Sequence, residues 1–278
     1  MNVTQVPYSH DNVNILQNFT RPLLTWFGEH GRKDLPWQHP RSAYRVWISE
    51  IMLQQTQVKT VIPYFLRFLA RFPDIKTLAQ ADEDDVLSCW SGLGYYSRAR
   101  NLHKTALIIA ENFKGQFPDD IKELVQLPGI GDSTAAAIAS LAYNKPTAIL
   151  DGNVKRVLSR YFQVRGLSQQ SAVKQKLMTI ANQCMSHDFC ADYTQAIMDL
   201  GATCCTVKTP ACTRCPLQTT CGAYKNNQVA DYPEKKPKKN IPTKQQQFLL
   251  LHTSNNLIYL EKNPPVGIWG GLMVSAED

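Results

Sequence analysis

The spacing of apolar residues predicts helices along most of the chain. From about residue 14 to residue 224, apolar side chains recur at intervals of three and four, as in the stripe formed by Leu16, Phe19, Leu23 and Phe27. The alternation of apolar and polar residues that marks a half-buried strand has no strong instance in this stretch. The body of the protein is therefore predicted to be all-α.

Proline, glycine and capping residues indicate where these helices end. Residues 45–72 predict two helices that separate near Pro63, and Asp82 can cap the helix that follows. A further short helix should stop at Pro128, after which an alanine-rich stretch is helical again. The later predicted helices cover residues 98–113, 121–127 and 132–142.

The composition changes after residue 225. Residues 226–247 are polar, rich in lysine and interrupted by proline, which is typical of a linker. Residues 248–262 predict a β-hairpin with a Ser-Asn-Asn turn at 254–256. Because so small a hairpin is not stable alone, we expect the chain to enter a second domain and to stop inside it at Asp278.

Charge and cysteine content narrow the class of protein. The chain of 278 residues carries 30 basic and 23 acidic residues, a net charge of +7, which favours a polyanionic partner. Its basic residues group at 98–104, 155–160 and 235–239. Neither a signal peptide nor a membrane-spanning apolar run is visible, so the eight cysteines favour thiols and metal ligation over disulfides. A cytoplasmic protein without a membrane partner is expected.

Four of the cysteines form a compact group with the spacing C-x6-C-x2-C-x5-C. Zinc sites usually pair two short C-x2–4-C units across a longer gap. A single C-x2-C between wider arms favours a cubane 4Fe–4S cluster, with zinc as the alternative. Unligated cysteines have no reason to lie so close together in sequence. The predicted ligands are Cys205, Cys212, Cys215 and Cys221.

The sequence LPGIG at 127–131 predicts a helix–hairpin–helix. Gly129 and Gly131 let the backbone approach a phosphate closely, and the amides that begin the next helix can donate to it. Such a hairpin binds the DNA backbone without reading bases. The alternative is an ordinary turn between helices, although Pro128 and the complete frame favour the hairpin.

Two carboxyl groups are candidates for acid and stabiliser roles. Glu50 lies among apolar residues, so desolvation should raise its pKa and make it a general acid; a surface glutamate is the alternative. Gln54 lies one turn further along the same face. Asp151 precedes a helix, where free amides favour its anion, as is needed beside a developing sugar cation; a simple helix cap is the alternative.

Six segments together resemble the adenine DNA glycosylase (MutY) family. The resemblance extends from about residue 15 to residue 274, and the six segments come in the order that the family has. It implies that the chain removes adenine mispaired with 8-oxoguanine or guanine in double-stranded DNA, acts as a monomer and holds one 4Fe–4S cluster. The segments are residues 35–38, 49–58, 92–103, 127–135, 150–160 and 198–221.

The same resemblance implies a domain organisation. A catalytic domain would cover residues 1–225, followed by a linker over 226–244 and an incomplete Nudix-like domain over 245–278, whose first motif matches Ile268 to Gly271. Because so little of the Nudix-like domain is present, weaker discrimination of 8-oxoguanine from guanine is expected. Within the catalytic domain, the six-helix barrel would take about 31–145, and the cluster module would take 1–30 and 146–225.

The resemblance also implies residue roles. Glu50 would protonate the extruded adenine and help to activate water, and Asp151, supported by Asn153, would stabilise the oxocarbenium-like sugar. Gln54 and Tyr95 would insert at the lesion and replace lost stacking, the alternatives being a polar helix face for Gln54 and core packing for Tyr95. Pro128, Gly129, Gly131 and Ser133 would make up the hairpin that contacts DNA.

Ser133 separates two branches of this fold. The endonuclease III branch carries a nucleophilic lysine two residues after the PGxG turn, and this chain has Ser133 there. A hydroxyl cannot form the Schiff base that an amine forms with a sugar, so a monofunctional glycosylase is predicted. The alternatives are a glycosylase with lyase activity, which Ser133 and Glu50 disfavour, and a non-catalytic iron–sulfur module that binds DNA.

Overall fold

A computed structural model describes residues 14–235, 243, 248–264 and 273–277 of the chain. Between residues 14 and 235 it contains helices joined by turns and, within that range, no strand. The prediction of an all-α body is therefore confirmed for the described residues. The helices are α1 (Arg21–His30), α2 (Ala43–Leu53), α3 (Val58–Arg71), α4 (Ile75–Ala79), α5 (Glu83–Trp90), α6 (Ser97–Asn112), α7 (Ile121–Leu124), α8 (Asp132–Tyr143), α9 (Gly152–Tyr161), α10 (Ser171–Cys184), α11 (Cys190–Asp199) and α12 (Gly222–Lys225).

The core is continuous through the helical body. The predicted stripe near the start of the chain buries Phe19, Leu23 and Phe27, after a π-helical segment over Leu16–Thr20. Helix α2 packs against α8, α8 packs against α11, and α11 packs against α1. Since α2 carries Glu50 and the chain leaving α8 leads to Asp151, this packing brings together residues that are about one hundred positions apart in sequence.

The sequence predicted that two helices separate near Pro63, and this prediction is wrong. Pro63 lies inside α3, and the break falls at residues 54–57, where Gln55 adopts a φ of 58°. A proline inside a helix loses one backbone hydrogen bond and costs about 3 kcal/mol. Burial of Val61, Phe65 and Phe68, all without solvent exposure, outweighs that cost, while Pro63 itself faces solvent.

Two other predicted elements differ in detail. The helix expected over residues 121–127 is helical only from Ile121 to Leu124, and Leu127 is reached through a turn. Asp82 occupies the N-cap of α5 as predicted, but its side chain makes no capping hydrogen bond. Ser42 and Asp74 cap α2 and α4 with side-chain hydrogen bonds, as short polar residues commonly do.

Several basic residues that favoured a polyanionic partner are buried. Arg98, Arg100, Arg156 and Arg160 each expose less than a tenth of their surface. The described hydrogen bonds of Arg98 and Arg160 go largely to backbone carbonyls, so these guanidinium groups hold segments of the fold together. Lysine and arginine are not equivalent here, because only the guanidinium offers five donors in one plane. Exposed positive charge comes instead from residues such as Lys104 and Lys235.

The described residues after 247 include short antiparallel strands. Strand β1 (Phe248–Leu249) pairs with β4 (Ala276–Glu277), and β2 (Glu261–Lys262) pairs with β3 (Met273–Val274). The expected hairpin is present as a turn that a bridge between His252 and Ile258 closes. The predicted Nudix-like start at 268–271 lies outside the described residues.

A helix that crosses a bilayer must be both long and apolar. None of the helices in the described part of the chain combines the length and the apolar character that crossing a bilayer requires.

Candidate active site

A cavity of about 950 Å³ opens between α2, α8, α9 and α11. Its lining includes five of the residues that the sequence singled out, so groups from distant parts of the chain face one space. A space of this size is ample for a nucleobase and part of its sugar. The five predicted residues in the lining are Glu50, Gln54, Ser133, Asp151 and Asn153.

Glu50 lies in the last turn of α2, between side chains that point into the core. Trp47, Ile51 and Met52 are buried, while Glu50 is half-buried and borders the cavity. Burial, and to a smaller extent the charge of Asp151, raises the pKa of Glu50 from 4.5 to about 7. The environment expected from the apolar sequence around Glu50 is thus present. At neutral pH this carboxyl holds a proton in about half of the molecules, as a general acid requires.

Asp151 caps helix α9 and lines the same cavity as Glu50. Its Oδ1 accepts a hydrogen bond of 2.7 Å from the Val154 amide, and its Oδ2 accepts one of 3.2 Å from Asn153 Nδ2. These hydrogen bonds and the charge of Arg156 lower its pKa, but burial is the larger effect and raises the pKa above its usual 3.8. The sequence pointed only to the helix terminus, which favours the anion, and gave no sign of this burial.

Asn153 links Asp151 to the rest of the body. Its Oδ1 accepts a hydrogen bond of 2.8 Å from Arg156 Nη2, while its Nδ2 donates to Asp151. Arg156 also donates to the carbonyls of Gly201 and Cys205, so its guanidinium joins α9 to the cysteine-rich segment. A Cβ atom at Gly201 would lie 2.6 Å from Asn153 Cβ, which explains the glycine at that position.

The cavity wall also contains residues whose place there was not visible in the sequence. Arg32 donates to both carboxylate oxygens of Asp199, which is fully buried, at distances of 2.6 to 2.9 Å. Gln195 Nε2 donates to Asp199 Oδ1 at 2.8 Å. Arg32 and Gln195 both line the cavity. Their sequence signal was weak, because Gln195 and Asp199 merely lie one turn apart and Arg32 is 167 residues from Asp199.

The hairpin forms as predicted, and only one of its glycines is required by steric fit. Gly129 has a φ of +77°, and a Cβ there would lie 2.9 Å from Asn101 Cβ. Gly131 occupies the N-cap of α8 with extended backbone, and a Cβ there would meet nothing within 4 Å. The Pro128 carbonyl accepts a hydrogen bond of 2.8 Å from Thr105 Oγ1, which joins the hairpin to α6. The first amides of α8 are left without partners inside the helix and suit an anion.

Tyr95 lies outside the cavity lining, on the turn before α6. Its side chain is 58% exposed and its φ is +50°, a left-handed conformation that is uncommon for a tyrosine. Core packing, the alternative considered from sequence, does not apply to this residue. An exposed ring on a constrained turn is available for contact with another molecule.

The four predicted cysteine ligands lie around a separate cavity, behind α9. Arg160 Nη1 donates to Cys205 Sγ at 3.3 Å, an interaction that suits a thiolate bound to a metal. None of the four forms a disulfide. Among the described residues, no three His, Cys, Asp or Glu side chains are close enough to hold one metal ion. Ligands placed around a common cavity fit a cluster of several atoms. The cysteines that line this cavity are Cys205, Cys212, Cys215 and Cys221, together with Cys204.

The raised pKa of Glu50 predicts how stability depends on pH. Between pH 4.5 and about 7 the folded chain binds more protons at Glu50 than the unfolded chain, so stability falls as the pH rises through this range. Replacing Glu50 by Gln should remove this loss and stabilise the protein at pH 8 by at most about 3 kcal/mol. Urea unfolding of both proteins at pH 4.5 and pH 8 measures the difference. Equal stability of the two at pH 8 would contradict the raised pKa.

Comparison with known proteins identifies relatives of the chain. Residues 48–183 match the HhH-GPD superfamily of base excision DNA repair proteins. The chain is 47% identical over 251 residues to an adenine DNA glycosylase of Buchnera aphidicola (subsp. Acyrthosiphon pisum), an alignment that covers 90% of this chain and 71% of that protein. It is 42% identical over 219 residues to an adenine DNA glycosylase of Mus musculus, covering 76% and 42%.

Solved structures share the helical architecture. A thermostable thymine-DNA glycosylase superposes with a TM-score of 0.69 and 27% identity, covering 77% of this chain and 98% of that one. A non-covalent complex of endonuclease III with DNA gives a TM-score of 0.64 and 20% identity, covering 80% and 99%. At that identity the second likeness concerns the fold alone.

Proposed function

Since the chain belongs to the adenine DNA glycosylases of the HhH-GPD superfamily, which act in base excision repair, we propose that Glu50 and Asp151 divide the chemistry of adenine release between them. The observation that supports this division is the shared cavity, in which the charge of Asp151 contributes to the raised pKa of Glu50. Two carboxyl groups of unequal environment are a common way to separate an acid from a charge stabiliser.

In the proposed reaction Glu50 is the proton donor. Its proton passes to a ring nitrogen of adenine while the bond between that base and C1′ of the sugar breaks, so adenine leaves neutral. Asp151 lines the same cavity and stabilises the positive charge that develops on the sugar. Water then adds to C1′ and returns a proton to Glu50. Asn153 keeps the Asp151 carboxylate oriented through its hydrogen bond of 3.2 Å.

The proposed substrate is adenine opposite 8-oxoguanine or guanine in double-stranded DNA. Gln54 and Tyr95 insert into the duplex at the lesion, and the exposed ring of Tyr95 supports that role. The hairpin of Pro128, Gly129 and Gly131 holds the DNA backbone through amides. The protein acts on this duplex as a monomer. Residues from 245 belong, in this proposal, to a Nudix-like segment joined by the linker over 226–244 to the catalytic residues 1–225.

Comparing mispairs tests this substrate assignment. We expect single-turnover release of adenine opposite 8-oxoguanine and opposite guanine, and much slower release opposite thymine. A thymine-paired duplex is the matched control, because it differs only in the base opposite adenine. Equal rates on all three duplexes would refute mispair specificity. The ratio of the rates opposite 8-oxoguanine and opposite guanine also tests whether the protein discriminates only weakly between these two bases, as expected from the sequence.

Ser133 lines the cavity and favours hydrolysis without strand cleavage. A lyase needs an amine that forms a Schiff base with the sugar, and the Ser133 hydroxyl cannot do so. We therefore expect no covalent adduct when the protein reacts with a mispaired duplex in the presence of borohydride. A trapped adduct formed in proportion to base release would instead favour the glycosylase with lyase activity.

The proposed cofactor is one 4Fe–4S cluster held by Cys205, Cys212, Cys215 and Cys221. Bound there, the cluster would tie the four thiolates together, and this would fix the shape of the loop. The chain between the first two ligands presents Lys208, which is exposed and can approach a phosphate. Arg160 donates both to Cys205 Sγ and to the Thr206 carbonyl, so it supports the first ligand from behind. The cysteines thus support DNA docking more than chemistry.

Removal of one cysteine ligand tests the cofactor proposal. Cys212→Ala should lower bound iron, and it should reduce duplex affinity about tenfold because the loop that presents Lys208 loses its fixed shape. Iron content, helical circular dichroism and duplex binding are the measurements. Cys89→Ala is a matched control, since Cys89 is a half-buried cysteine far from the loop in sequence. Unchanged DNA binding by a Cys212→Ala protein that lacks iron would contradict the supporting role.

A further inference from the structure

Arg98 binds the carbonyls that end helix α2. Its Nη1 donates to Ile51 O at 2.8 Å, to Met52 O at 3.1 Å and to Gln54 O at 2.7 Å. The last carbonyls of a helix have no partner inside the helix, and a cation is favourable beside them. Arg98 thus fixes the end of the helix that carries Glu50, together with the backbone of Gln54.

The second terminal nitrogen of the same guanidinium binds the turn before α6. Nη2 of Arg98 donates to Leu93 O at 3.3 Å and to Gly94 O at 3.1 Å. The guanidinium carbon lies 5.3 Å from the ring centre of Trp90 and 5.6 Å from that of Tyr95. Arg98 therefore contacts the turn that presents Tyr95 through both its backbone and its aromatic ring.

These two segments carry the residues proposed to insert into DNA. Gln54 and Tyr95 are 41 positions apart, and each lies just outside a helix: Gln54 is the C-cap of α2, and Tyr95 lies on the turn before α6. Gln55 and Tyr95 both have positive φ values, of 58° and 50°. Backbone in this conformation persists only where surrounding contacts hold it. The described side-chain hydrogen bonds that join the two segments all come from the guanidinium of Arg98.

We propose that Arg98 is a positioning residue that sets the separation of Gln54 and Tyr95 and so lets both enter the duplex together. This inference rests on the insertion role given to these residues in the proposed function. A lysine cannot replace Arg98, because an ammonium is a single point of charge, whereas five carbonyls on two sides require a planar fork. The role is distinct from DNA contact, since Arg98 is only 9% exposed.

Arg98→Lys tests the inference. We expect this variant to bind an undamaged duplex as the wild type does, and to lose about tenfold in affinity for a mispaired duplex that carries a non-hydrolysable 2′-fluoro adenosine. Fluorescence of 2-aminopurine in place of adenine should show weaker base extrusion. Arg67→Lys is the matched control, because Arg67 also stacks on a tyrosine, Tyr64, and binds a carbonyl, that of Cys89. A folded Arg98→Lys protein with wild-type mispair affinity overturns the proposal.

Combining Arg98→Lys with Tyr95→Ala distinguishes a positioning role of Arg98 from a general contribution to the stability of the fold. If Arg98 places the tyrosine ring, Tyr95→Ala should reduce mispair affinity strongly in the wild type and only slightly in the Arg98→Lys background. Additive losses overturn the positioning role while leaving the insertion role of Tyr95 intact. If Tyr95→Ala has no effect in the wild type, the insertion role itself fails, and the inference about Arg98 fails with it.

Gly94→Ala provides a second variant if Arg98→Lys does not fold. Gly94 has a φ of +69°, and a Cβ there would meet nothing within 4 Å, so alanine adds backbone strain without a clash. The turn should then move away from Arg98 while the guanidinium remains. We expect the same selective loss of mispair affinity at unchanged binding of undamaged DNA. Wild-type mispair affinity in a folded Gly94→Ala protein overturns the inference.

Discussion

Replacing Glu50 by Gln should lower the single-turnover rate of adenine release about a thousandfold, within the range that general acid catalysis supplies. The glutamine keeps the size of the side chain and its place in the cavity, but it has no acidic proton to give to the leaving base. Binding of the mispaired duplex should remain, because Glu50 faces the cavity and not the exposed surface. The measurements are base release under single-turnover conditions and duplex affinity, both at pH 7.

The pH dependence of the wild type provides a second measure of the same group. Because the pKa of Glu50 lies at about 7, base release should decline as the pH rises above that value and the carboxyl loses its proton. Glu111→Gln is a suitable control, since Glu111 is an exposed carboxylate on α6. A Glu50→Gln protein that releases adenine within tenfold of the wild type would exclude Glu50 as the acid. A wild-type protein that released no base at all would instead favour the alternative of a non-catalytic DNA-binding module.

The sequence predicted most of the helices because their apolar spacing reports directly on burial. It failed at Pro63, where propensity is a weak guide once three aromatic or branched residues on the same helix are buried. The cap at Asp151 was predictable because Asp is a favoured N-cap and the helix signal begins directly after it. Local patterns were therefore sufficient wherever a local interaction decides the structure.

The candidate site could be predicted only in part, for the same physical reason. Glu50 was recognisable from its apolar neighbours, which foretold desolvation. Burial of Asp151 depends on helices that pack around it from distant parts of the chain, so the balance of its pKa could not be read from the helix terminus. The basic groups of the sequence that favour a polyanionic partner include Arg98 and Arg156, because nothing in sequence shows that these guanidinium groups are buried or which carbonyls they bind. Their positions follow from tertiary contacts alone.

Replacing Asp151 by Asn should reduce base release by a factor of about one hundred to one thousand, the loss that follows removal of one stabiliser of transition-state charge. Asparagine caps a helix about as well as aspartate, so α9 should keep its start and the amide of Val154 its acceptor. What the variant loses is the negative charge beside the developing sugar cation. The measurement is single-turnover release of adenine opposite 8-oxoguanine, with thermal unfolding to confirm that the fold is retained.

Asp74→Asn is the matched control for this prediction. Asp74 caps α4 through a hydrogen bond of 2.8 Å from the Thr77 amide, as Asp151 caps α9, but it lies on the solvent side of the body. Its replacement should leave the rate unchanged, since it removes a capping carboxylate without touching the cavity. If Asp151→Asn and Asp74→Asn both release adenine within threefold of the wild type, Asp151 is only a helix cap. A loss confined to Asp151→Asn, at equal stability, assigns the effect to its charge.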